Sequence, residues 1–342
     1  MLLNLATEII IQILSSDILN YSDYFQIILT CHRLHAIGIP LLYRELAITP
    51  LERFIDVRSN TTVNLEQLHG AFDHQPTYLS LVHTAHIILS HRKSLKHAAW
   101  LFHLVSSFES LQSWSLACPV IGIHIINNPL SHFLRKCKYL SSLRHIMIHL
   151  NQNNIKVSAI NGIFSVPNLD SFVLKNLLEV TDEPDQAAEY FPTNITRLDI
   201  SSSPTATFNS CALLARHPAL DSLSWITYSY QDPQWHCSDI SQTLAPLKRR
   251  LVNLRLAHQS LKAPAPGTFP SQPDGDAHMD FSDFTALRVL DIDEYLAFPR
   301  RKPIFPNDLY DRLPPSLERL TVSFPTSLRP LFYGSRSSRV NY

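Results

Sequence analysis

The sequence predicts an α/β chain: three short helices first, then an irregular solenoid of parallel strands joined by helical returns. Three observations carry this expectation. Apolar residues recur at helical spacing through about the first 46 positions. A triad, apolar-x-x-apolar-x-apolar, then repeats along the rest of the chain. Finally, 45% of the 342 residues are hydrophobic and 17% are charged, enough apolar material for a large core.

Taking the elements in order, Leu5, Ile9, Ile10, Ile13 and Leu14 follow the rhythm of one helical face, with Glu8 and Gln12 on the other side. Ser15, Ser16 and Asp17 break that helix, and Ser16 or Asp17 is placed to cap the next. Ile18, Leu19, Tyr24, Phe25, Ile28 and Leu29 form the second set. Cys31, Leu34 and Ile37 begin a third helix, expected to stop near Pro40. This opening lacks the basic start of a signal peptide, since no Lys or Arg precedes Arg33. No apolar run is long enough to span a membrane. A soluble, cytoplasmic or nuclear protein is expected. The five cysteines are widely spaced without a CxxC, which fits reduced thiols.

Leu5-Ala6-Thr7-Glu8-Ile9-Ile10, Ile13-Leu14-Ser15 and Leu29-Thr30-Cys31-His32-Arg33-Leu34 together resemble an F-box. Pro40-Leu41-Leu42-Tyr43-Arg44-Glu45-Leu46 resembles the junction of many fungal F-box proteins. Ala6 stands where family members usually carry Pro, and Leu34 where they often carry Trp. The resemblance implies an F-box-like helical module over residues 1–46 that docks on a Skp-type adaptor and, through it, a cullin scaffold. It implies Leu5, Ile9, Ile10, Ile13 and Leu14 as adaptor-binding residues, the spacing of helix-in-groove anchors. The implied function is the non-catalytic substrate-recognition subunit of an SCF-type ubiquitin ligase. The alternative is a non-catalytic scaffold whose N-terminal helices cap the solenoid or bind another partner.

The clear triads are Leu143/Ile146/Ile148, Leu169/Phe172/Leu174, Ile195/Leu198/Ile200, Leu220/Leu223/Trp225, Leu251/Leu254/Leu256, Leu287/Leu290/Ile292 and Leu317/Leu320/Val322. Weaker copies precede them at Tyr43/Leu46/Ile48, Val82/Ala85/Ile87 and Leu111/Trp114/Leu116. The last two members of each point inward from a short strand, because strand residues alternate faces. From Leu143 the starts step by 26, 26, 25, 31, 36 and 30 residues. The first three steps lie in the leucine-rich-repeat range. The Asn that such repeats place after the third apolar residue occurs only at Asn151. The expectation is therefore a degenerate leucine-rich-repeat-like horseshoe over residues 47–325. A Pro/Gly-rich insertion at 262–281 interrupts it, a basic stretch lies at Pro299–Pro303, and a flexible tail covers 326–342.

Outward strand positions then follow at fixed offsets from each triad. Their charged and histidine members, His145, His149, Lys175, Arg197, Asp199, Arg255, Asp291, Asp293 and Arg319, form a candidate strip for a target protein. The mixed charge suits a peptide or protein partner. With 29 basic and 29 acidic residues the chain has no basic excess for nucleic acid. Only seven glycines occur, none clustered as phosphate-cradling loops require. No GxSxG, HExxH or CxxC is present, so no catalytic residue, cofactor or metal is expected. The 17 histidines fall in pairs rather than in sets of three or four ligands.

Overall fold

The computed structural model describes residues 5–15, 21–48, 65–89, 97–118, 130, 132–134, 136–156, 163, 166–181, 194–202, 219–229, 237–260, 279–297 and 309–323. The chain divides into two compact units. One comprises Met1–Asn151 with Ser158–Leu169, the other Gln152–Val157 with Asp170–Tyr342. Each is an α/β arrangement of parallel strands in chain order.

The first unit opens with helices α1 (Thr7–Leu14), α2 (Tyr21–Ile28) and α3 (His32–Arg44). Strand β1 (Glu45–Ile48) follows α3 directly. Helix α4 (Leu65–His74), β2 (Thr84–Ile88), α5 (Ala98–Val105), β3 (Ser113–Cys118) and β4 (His145–Lys156), the last up to Asn151, complete its main elements. The triads fix the strand register. Leu46, Ala85, Trp114 and Ile146 lie in one row across β1 to β4, and Ile48, Ile87, Leu116 and Ile148 in the next. All eight are 7% exposed or less. Behind them Trp114 packs on Phe133 with ring centroids 4.6 Å apart and on Phe102 at 6.3 Å.

The second unit holds β5 (Ser171–Thr181), β6 (Arg197–Ser202), β7 (Ser222–Ser229), β8 (Asn253–Ser260), β9 (Val289–Asp293) and β10 (Arg319–Ser323), with helices α6 (Cys237–Leu244) and α7 (Glu294–Ala297). Phe172, Leu198, Leu223, Leu254, Leu290 and Leu320 share one row. Leu174, Ile200, Trp225, Leu256, Ile292 and Val322 share the other. Only the β10 pair, Leu320 and Val322, is half-buried rather than buried.

A backbone device recurs at the strand entrances. The carbonyl of Gln112 accepts from the N–H groups of both Arg144 and His145, at 2.8 and 3.0 Å. The same fork links Asp170 to Thr196 and Arg197, Thr196 to Asp221 and Ser222, Asp221 to Val252 and Asn253, Val252 to Arg288 and Val289, and Arg288 to Glu318 and Arg319. Each accepting residue directly follows the first apolar residue of its triad. The fork pairs two backbone N–H groups with one carbonyl where each strand begins.

The expected fold class is corrected. The chain has ten parallel strands flanked by helices, without a three-helix F-box start and without a clear solenoid or horseshoe. Two findings overturn the expectation. Helix α3 does not stop at Pro40 but runs through it to Arg44 and passes straight into β1, leaving no separate helical start. Pro40 is exposed, where a helix tolerates the missing N–H. The strands range from 4 to 12 residues, their connections mix α- and 3-10 helices, and the β5–β6 register shifts between Leu174 and Leu177. The insertion (except residues 279–281), the Pro299–Pro303 stretch and the tail lie outside the described residues.

Candidate functional site

Two surfaces carry the residues that the sequence singled out. The first is the N-terminal helical cluster. Its core is Ile10, Leu14, Tyr24, Ile28 and Leu34. The motif residues build it locally. Cys31 caps α3, its Sγ accepting from the Leu34 N–H at 3.5 Å. Thr30 Oγ1 donates to the Ile27 carbonyl at 2.7 Å, closing the end of α2. Arg33 reaches back to the start of α1, donating to the Leu5 carbonyl at 2.8 Å. Helices α2 and α3 meet at Gly38. Tyr24 donates its hydroxyl proton to the Gly38 carbonyl at 2.8 Å, and a Cβ there would stand 2.1 Å from Ile28 Cγ2. Burial pushes the Tyr24 phenol above its ordinary range.

The five residues expected to touch an adaptor therefore separate. Ile9 and Ile13 are 45% and 37% exposed, and Leu5 is half-buried. Ile10 and Leu14, at 0% and 4%, are core residues and cannot meet a partner without unfolding the cluster. Sequence reasoning missed Ile11, Phe25 and Leu29, which are 38%, 41% and 59% exposed. Phe25 and Leu29 share one stripe of α2 at i, i+4 spacing, a signal that was present in the sequence.

The second surface is the outward side of the strands. In the first unit it is neutral and histidine-rich: Thr84, His86, Ser113, Ser115, His145, Met147 and His149 stand there, with Glu45 beside them. Sequence reasoning did not bring together Glu45, His86 and Ser115, one from each of three neighbouring strands. His86 Nδ1 lies 2.6 Å from Ser115 Oγ, and its Nε2 lies 3.4 Å from Glu45 Oε1. Carboxylate, imidazole and hydroxyl in that order could activate a serine. The β3 amides around Ser115 belong to a strand paired on both sides, so they offer no oxyanion donors. The set orders hydrogen-bonding groups on a surface.

In the second unit the outward side is charged. Arg197, Arg255 and Arg319 are exposed, and Lys175, Asp199 and Asp291 are half-buried. Arg255 pairs with Asp291 at 3.3 Å. Asp199 Oδ1 is buried without a hydrogen-bond partner among the described residues. Asp293, expected on this strip, is instead 7% exposed and belongs to the interior, as do the neighbouring outward positions Ser201 and Ala257. All three occupy the last outward offset of their triads.

Among the described residues no group of three or more His, Cys, Asp or Glu side chains could hold a metal ion, and no helix is long and apolar enough to cross a membrane. Among the described residues Cys31, Cys137 and Cys237 join no disulfide, Cys118 Sγ donates to the Leu89 carbonyl at 3.7 Å, and burial raises the pKa of Cys137. Comparison with known proteins finds no family model that matches the chain and no similar curated sequence.

Proposed function

We propose that this chain is a non-catalytic recognition protein that holds two partners at once, as the substrate-recognition subunit of an SCF-type ubiquitin ligase acting in the cytoplasm or nucleus. The N-terminal helices take a Skp-type adaptor, as the resemblance of residues 5–46 implies, and the outward strand surface takes the target. Such a subunit works by proximity, raising the local concentration of target at the transferring enzyme.

The observation that carries the reading is where apolar surface remains open. Of the eight exposed large hydrophobic residues described, five lie on or at the end of α1 and α2: Ile9, Ile11, Ile13, Phe25 and Leu29. Exposed large apolar residues gathered on these two helices support a protein-binding role for them. A second reading, a scaffold whose helices cap the sheet, has one observation in its favour. Tyr43 at the end of α3 packs on Tyr78 at 4.8 Å and on Phe72 at 5.7 Å.

The test is capture of a purified Skp-type adaptor by the full chain and by an Ile9→Asp, Ile13→Asp double variant. Both side chains are exposed, so circular dichroism should show the variant folded. Capture by the wild type and its loss in the folded variant supports the ligase reading. A wild-type chain that captures no adaptor leaves the scaffold.

A further inference from the structure

On the outward side of the second unit, Arg197, Ser222, Asn253, Val289 and Arg319 stand in one register row across β6 to β10. Each alternates with a core residue of the next row, so all five present the same side of the sheet. The two ends are exposed arginines, whereas the three middle residues are short, uncharged and half-buried. Neither arginine makes an ion pair among the described residues. The adjoining row carries Asp199, Ser224, Arg255, Asp291 and Thr321. There Arg255 and Asp291 satisfy each other at 3.3 Å. Asp199, two residues from Arg197 on the same side, makes no ion pair with it among the described residues, and its Oδ1 is buried. With Arg255 and Asp291 paired, the two rows retain one net positive charge, and the exposed guanidiniums of Arg197 and Arg319 stand at the ends of one row with a low, uncharged path between them.

From this placement we infer that the row binds an extended acidic protein segment, with one carboxylate on Arg197 and a second on Arg319. Arginine suits this role, because its planar fork matches a carboxylate bidentately. Four strand spacings separate the arginines by about 19 Å, which an extended peptide rising about 3.3 Å per residue covers with acidic side chains about six residues apart. The inference rests on the reading that this surface receives the target, and it adds what the target must carry. In the first unit the corresponding side has no arginine or lysine at strand positions 84–88, 113–118 or 145–149, so it lacks the means for the same recognition.

The test uses the full chain and fluorescein-labelled Gly/Ser peptides carrying two Glu residues six positions apart. The comparison peptides carry Gln or Lys at those positions, and a single-stranded DNA of similar length is a further competitor. Fluorescence anisotropy at low ionic strength reads the affinity. The Glu peptide should bind about tenfold or more tighter than the Gln and Lys peptides, and the preference should fade as salt screens it. Arg197→Ser with Arg319→Ser should remove the preference, and Arg197→Glu with Arg319→Glu should transfer it to the Lys peptide. Equal binding of the three peptides, an unchanged preference in either double variant, or stronger binding of the DNA would overturn the inference. Adaptor capture is read in parallel on the same variants, which leave α1 and α2 intact. Loss of adaptor capture by the wild type with Glu preference retained refutes the ligase reading and not this one; the reverse result refutes only this one.

Discussion

The N-terminal helices and the strands solve the same packing problem in opposite ways. Along β1 to β9 both inner triad residues are buried, at 7% exposure or less, with none of their apolar surface left over. The α1–α3 cluster buries five side chains in its core and leaves five large ones, Ile9, Ile11, Ile13, Phe25 and Leu29, in contact with water. A strand in a parallel sheet is flanked by its own neighbours, so each added copy covers the last. A small helical cluster has no such neighbour and too little volume to enclose all its apolar side chains. The difference teaches that, among the described residues, the helices hold most of the exposed large apolar side chains, while the strands expose only Met147.

The largest expected effect breaks the strand side of this comparison. Trp114 is fully buried on β3, wedged against Phe133 and Phe102. Trp114→Ala should destabilise the first unit by about 3–5 kcal/mol, because the surrounding rings cannot collapse into the space. Urea unfolding followed by circular dichroism measures it. A loss below about 1 kcal/mol would mean that the strand core is loosely packed, and the contrast with the helices would fail.

How far the sequence disclosed this architecture depends on which interaction carries each part. The triads were legible, because burial selects apolar residues and the strand period places them. Within each unit they share a register, across β1 to β4 in the first and across β5 to β10 in the second. The forks at the strand entrances were not legible, since a carbonyl and two amides look alike behind Gln112, Asp170 or Arg288. The passage of α3 through Pro40 was hidden for a similar reason: packing around Gly38 and Leu34 outweighs one lost backbone bond. Which of Leu5, Ile9, Ile10, Ile13 and Leu14 face water was not legible. Ile9, Ile10, Ile13 and Leu14 span an arc of α1 wide enough to have two sides. Apolar identity alone cannot tell which side faces α3 and which faces water. The triad His86, Ser115 and Glu45 comes from three strands and has no sequence spacing to betray it.

A smaller effect sharpens the comparison from the helical side. At Gly38 the backbones of α2 and α3 come close enough that an added Cβ would stand 2.1 Å from Ile28 Cγ2. Ile28 is β-branched and buried, so it has little freedom to retreat. Gly38→Ala gains helix propensity, yet overpacking should win and cost about 1–3 kcal/mol. The loss should appear as a weaker N-terminal cluster, read by hydrogen exchange across α1 to α3, with β2 and β3 unchanged. Exchange that rises equally in the strands would show that helices and strands unfold together, and the two regions would not be separable in stability.

The smallest effect concerns Ala6, at the start of α1. Ala6 is the N-cap of α1, with φ −59° and ψ 147°, and its side chain makes no capping bond. Its carbonyl accepts from the Ile9 and Ile10 amides at 3.1 and 3.2 Å, and its own N–H donates no hydrogen bond among the described residues. Proline fixes φ near this value and gives up only the N–H, so neither feature of the native turn is lost. Ala6→Pro should therefore stabilise the cluster by about 0.4–1 kcal/mol, chiefly by restricting the unfolded chain. The change touches none of Ile9, Ile11, Ile13, Phe25 or Leu29, so the exposed apolar surface stays as it is. A raised thermal midpoint with unchanged adaptor capture would mean that the helix start limits stability alone. Tighter capture in proportion to the gained stability would mean that the cluster must be ordered before a partner can use the surface it leaves open. A lowered midpoint would mean that the Leu5–Ala6 entry is held in a backbone conformation that proline cannot share.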